Sequence, residues 1–162
     1  MGNLTVLALR VILAMGLVGS LFVQVVMVPL LAVDLDEAPA GVRAPVVVIV
    51  LLGIGTIQVT MVCVWRLLTM VRRGTVFSHA AFRYVDIVIG AAAAASLLMF
   101  GLGVTLAPGE AVAPGIVLLI GGAAVLIAGV ALVVLVLRML LAQAVARDAE
   151  ARHLKAELDE VI

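Results

Sequence analysis

One cysteine, Cys63, in 162 residues excludes an intrachain disulfide. Its place inside an apolar run makes it a small packing residue rather than a reactive thiol. Charge is also scarce: 12% of residues are Asp, Glu, Lys or Arg, where a soluble domain carries roughly a quarter. The common enzyme signatures are missing, with no HExxH, no GxSxG, no phosphate loop and no paired Cys/His ligand set. Apart from Asp86 near one end, the long apolar runs contain no Asp, Glu, His, Lys or Tyr. Intramembrane proteolysis needs a Ser/His or Asp/Asp pair at depth, and a proton relay needs a second titratable group. His79 and His153 lie in a helix start and a charged tail, without supporting ligands. The expectation is a non-enzyme, with no catalytic residue, no metal ligand and no cofactor.

What is present is apolar: 66% of the residues are hydrophobic and the mean hydropathy is +1.39. A soluble core this small leaves that surface uncovered, so a bilayer is the solvent. Four runs are each long enough for a helix to cross about 30 Å of hydrocarbon. They lie at about 11–33, 44–66, 86–107 and 114–138. The first exceeds the roughly 7–15 apolar residues of a signal peptide and reads as a span. Pro29 falls near its far end, where a lost helical hydrogen bond matters least.

The second and third runs are joined by a charged segment, 67–85. Between Arg66 and Asp86 stand four arginines, Arg66, Arg72, Arg73 and Arg83, against one aspartate. Gly74 suits the residue after a helix end, where a left-handed backbone costs glycine nothing. Phe77, Ser78 and Phe82 have the layout of a hydrophobic staple around an N-cap serine. Residues 140–162 contain no Gly or Pro and continue the fourth span as a charged helical tail. Leu140, Ala144, Ala151, Leu154, Leu158 and Val161 form a sparse heptad stripe along it, interrupted by Arg147.

Arginine placement gives orientation. Arg10, Arg66, Arg83 and Arg138 each mark one end of a span, whereas the two outer loops hold only Arg43. The fold expected is an all-α membrane protein, with four transmembrane helices in an up-down bundle. Both termini and the hairpin are placed in the cytoplasm, beside a cytoplasmic C-terminal helix. The basic ring satisfies ordinary positive-inside topology, and it also suits a lipid head group or an anionic partner. Asp86 is expected to pair with Arg83, Arg66 or Arg138.

Gln24, Gln58, Thr56, Thr60 and Ser96 are the polar groups at depth and read as hydrogen-bonding glue between helices. Gly16/Ser20, Gly90/Ala94 and Ala92/Ser96 allow close helix approach. Gly115, Gly122 and Gly129 recur every seven residues and line one stripe of the fourth helix. Packing within the bundle is the first expectation for them and a homo-oligomer the second.

The segment Arg66-Leu-Leu through Arg72-Arg-Gly-Thr-Val-Phe-Ser78 resembles the R-x-G-x-V/P-F-[ST] centre of a bacterial membrane family, domain of unknown function 2975. The resemblance covers most of the chain in architecture and about ten residues in motif. His79 and Ala80 depart from it, since many relatives carry polar or acidic residues there. It implies four spans, the motif between the second and third, and a charged C-terminal tail. It also implies a small helix-turn-helix regulator as a cytoplasmic partner.

The reading is a non-enzymatic bacterial inner-membrane protein that recruits or senses a cytoplasmic partner, without direct nucleic-acid binding. Membrane lipid and a second copy are the other partners expected. Arg66, Arg72, Arg73, Arg83, Asp86, Leu154 and Leu158 are the candidate contacts. The alternatives are a small oligomeric transporter or pore subunit, and a lipid-binding envelope protein.

Overall fold

The computed structural model describes residues 2–36, 40–72, 79–108 and 112–161. Its elements are helix α1 (Gly2–Phe22), a π-helical turn (Val23–Met27), α2 (Val28–Asp34), α3 (Ala40–Arg72), α4 (His79–Leu106) and α5 (Pro114–Val161). Four stretches are long and apolar enough to cross a membrane: Val6–Asp34, Gly41–Met70, Ala81–Leu106 and Pro114–Ala156. Their most apolar windows have mean hydropathies between 2.2 and 2.9, and at most 11% of any window is buried within the chain. Such outward apolar surface belongs in hydrocarbon, so the chain has the make-up of a multi-pass membrane protein.

Helix α1 begins well before the apolar run at Val11, because helix geometry continues past the bilayer edge that hydropathy detects. α1, the π turn and α2 form one nearly continuous rod. Pro29 explains its irregularity: proline lacks an N–H, and its ring crowds the carbonyl four residues earlier. The widened turn at Val23–Met27 absorbs that conflict, with the Val28 N–H reaching back to the Val23 carbonyl. The cost therefore appears a turn upstream of Pro29, and the helix runs on to Asp34. Beyond it, Arg43 pairs with Asp36 across the connection to α3.

Packing follows chain order. α3 lies against α4 and α4 against α5 over long faces, while the first rod touches α3 through a narrower contact. That contact carries a polar cluster. Gln58 Nε2 donates to Gln24 Oε1 at 2.9 Å and lies 3.3 Å from Ser20 Oγ. Nearby, Gly16 is filled by the Met61 side chain, whose Cε would stand 2.9 Å from a Cβ there. Replacing Gln58 with leucine is expected to lower stability by about 0.6–1.7 kcal/mol in detergent unfolding. Thr60→Val is the comparison, since that hydroxyl bonds only the Thr56 carbonyl of its own helix. Equal melting of the two variants would show that the glutamine contact does not hold the rod.

On α5, the seam with α4 is lined by alanines, not by the glycine stripe. Ala124 and Ala131 are buried, and Ser96 Oγ donates to the Ala124 carbonyl at 2.8 Å. Gly115, Gly122 and Gly129 are exposed, and a methyl group added at any of them would meet nothing within 4 Å. Packing within the chain, the first expectation for that stripe, is thus not what these glycines do. Residues 122 and 124 differ by about 200° around a helix, so only one of the two stripes can face α4. Gly90 likewise faces open space, whereas Gly103 packs on Ile120.

Candidate site at the arginine-bearing end

Two arginines on different helices are seated in the same way. On α3, Trp65 and Thr69 are four residues apart and so share one face, a turn apart. Arg10 of α1 lies over the Trp65 ring, 5.7 Å from its centroid, and its Nη2 donates to Thr69 Oγ1 at 3.1 Å. The Thr69 hydroxyl in turn donates to the Trp65 carbonyl at 3.0 Å, which leaves its oxygen free to accept from Arg10. On α4, Phe82 and Asp86 repeat the four-residue spacing. Arg138 of α5 lies over the Phe82 ring at 5.8 Å, and its Nη2 donates to Asp86 Oδ2 at 2.7 Å. Ring faces attract guanidinium groups, and desolvation at a membrane boundary strengthens that attraction.

Each guanidinium has a buried Nε without a hydrogen-bond partner. The two sockets differ in the polar residue. Asp86 gives Arg138 a counterion, whereas Thr69 gives Arg10 a neutral oxygen. Arg138 also lines a small open apolar hollow of about 190 Å³ with Phe82, Val85, Val134, Leu137 and Leu141.

Of the three partners expected for Asp86, the structure selects Arg138. Arg83 and Arg66 are exposed. Phe82 carries the Arg138 guanidinium over its ring, and Phe77, its expected staple partner, lies outside the described residues. Arg73, Gly74, Phe77 and Ser78 lie outside the described residues, and Arg72 is described only as the last residue of α3. Leu154 is 54% exposed on the tail; Leu158 continues the same helix, its side chain outside the description. No cluster of His, Cys, Asp or Glu among the described residues could hold a metal ion.

Sequence reasoning placed Arg10 and Arg138 at span ends but missed their sockets. The available signal was an aromatic followed four residues later by a hydrogen-bonding side chain, on either side of the hairpin: Trp65/Thr69 and Phe82/Asp86.

No curated protein and no solved structure shows significant similarity to the chain. The model of a family described as protein of unknown function (DUF2975) matches residues 30–162, from the last turn of the first rod through the tail, and the chain belongs to that family.

Proposed function

We propose that this chain is a non-enzymatic inner-membrane protein that presents its arginine-bearing end and its C-terminal helix to a cytoplasmic protein partner. The four spans run up and down, and both termini and the 67–85 hairpin face the cytoplasm. The observation that carries the reading is the continuity of α5. Its 48 residues extend about 34 Å past Arg138, with no break between the span and the charged tail. A helix anchored this rigidly holds its side chains at a fixed height above the bilayer, as a recognition element requires.

The surface of that projection supports a protein contact. Leu141, Ala144, Val145, Asp148, Ala149 and Arg152 line a shallow groove of about 550 Å³, to which no other helix contributes. Arg152 pairs with Asp148 at 2.9 Å along its rim. Exposed Leu154, two residues past Arg152, lies about 200° around the helix from it and offers a second apolar contact on the other face. Three basic residues stand against five acidic ones between 140 and 162, whereas the hairpin is basic. A partner therefore meets surfaces of opposite sign on the same side, and a small helix-turn-helix regulator is the partner the family resemblance suggests.

Replacing Leu154 and Leu158 together with glutamate should abolish partner capture from native membranes while leaving insertion intact. The measurement is the set of proteins that co-purifies with the full chain, alongside its oligomeric size. An unchanged set and an unchanged size would remove the tail as an interaction element.

A further inference from the structure

We propose that Arg10, Trp65 and Thr69 form a binding site for the head-group phosphate of an anionic phospholipid. The inference is independent of any protein partner and starts from the contrast between the two sockets. Arg138 and Arg10 share an aromatic floor, a polar acceptor four residues along, and an enclosed Nε without a partner. Arg138 has its negative charge built in, at Asp86. Arg10 has no carboxylate among the described residues, and its one hydrogen bond goes to a neutral hydroxyl. Of the five N–H groups on a guanidinium, three on its terminal nitrogens remain for an acceptor.

A half-buried cation without a counterion is costly near a membrane and recruits an anion from its surroundings. The depth says which anion is at hand. Arg10 lies four residues inside the membrane-compatible stretch that begins at Val6, so it sits where the hydrocarbon ends and lipid phosphates begin. Trp65 belongs at the same level, since tryptophan favours the head-group region. Phosphate oxygens match the planar fork of arginine, which binds them with two parallel hydrogen bonds. Arg66, exposed next to Trp65 in sequence, adds a second positive charge for an anionic lipid over a zwitterionic one. Fixing a lipid here also secures the rod, because the site is made from α1 and α3 together.

Trp65 is the only tryptophan in the chain, so its emission reports on the site directly. The full chain is reconstituted in phosphatidylcholine nanodiscs carrying increasing fractions of phosphatidylglycerol. A saturating change in Trp65 emission is expected with phosphatidylglycerol, and none in discs of phosphatidylcholine alone. Arg10→Gln should weaken the apparent affinity about fivefold or more, the effect of one basic residue at a charged membrane surface. Arg10→Lys keeps the charge but loses the planar fork and the stacking on Trp65, so it should weaken binding by less than Arg10→Gln, and Arg147→Gln, which removes the same charge from the tail, should stay within about twofold of the parent. Melting in phosphatidylcholine discs verifies that each variant folds. Inorganic phosphate at millimolar concentration should leave the emission unchanged; a matching response would overturn lipid as the source. A non-saturating response of the parent to phosphatidylglycerol, or an Arg10→Gln variant that titrates like the parent, would overturn the site itself.

Discussion

Leucine at position 124 is expected to lower stability by about 1–3 kcal/mol, measured as unfolding in detergent or nanodiscs. Ala124 is 2% exposed, the most enclosed side chain of the α4–α5 seam. Its carbonyl is held by Ser96 at 2.8 Å, so the two helix backbones approach as closely as a methyl group permits. Three further carbons must push α5 outward, which strains that hydrogen bond and thins the packing around Ala131 on the same face. Between transmembrane helices little hydrophobic gain offsets such a loss, because the lipid tails are as apolar as the side chains. Val125→Leu adds bulk one residue away, where the side chain is 70% exposed, and should leave melting unchanged. Equal stability of the two variants would mean that α4 and α5 do not meet along the alanine stripe.

The second large effect is expected at Asp86. Its carboxylate is 47% exposed and Arg138 is 31% exposed, so solvent screens part of their attraction. Asp86→Ala nevertheless strands a guanidinium whose Nε already lacks a partner. A cost of about 1–2 kcal/mol is expected, above the usual value for an exposed pair and below that for a buried one. Removing both partners should be less damaging than the single losses added together, with a coupling of about 1 kcal/mol. Additive losses in the Asp86→Ala and Arg138→Ala cycle would show that the pair contributes nothing of its own to the α4–α5 contact.

Much of this architecture is legible in the residues. The four apolar runs predict the four helices, and Pro114 marks the start of α5. The absence of Gly and Pro after Leu140 predicts the unbroken tail. Other features depend on which neighbour a face meets, and periodicity does not carry that. Gly115/Gly122/Gly129 and Ala124/Ala131 are both small stripes with a seven-residue repeat on one helix. Ser96 opposite Ala124 marks the buried one, and its position is known only once α4 is in place. Pro29 announces a disturbance, but whether the helix breaks, kinks or widens depends on how the freed carbonyl is satisfied. At the arginine-bearing end, charge alone predicted a ring of similar residues. The structure separates it into a neutralised arginine, an uncompensated one, and exposed ones.

The sequential packing of α3, α4 and α5 has a kinetic meaning. The two extensive contacts join helices that are consecutive in the chain, so each closes across a short connection. Assembly can keep pace with synthesis, hairpin by hairpin, without an early helix waiting for a distant one. The Arg138–Asp86 ion pair lies at the far end of the last seam, so it ties α5 to α4 at the point from which the tail departs.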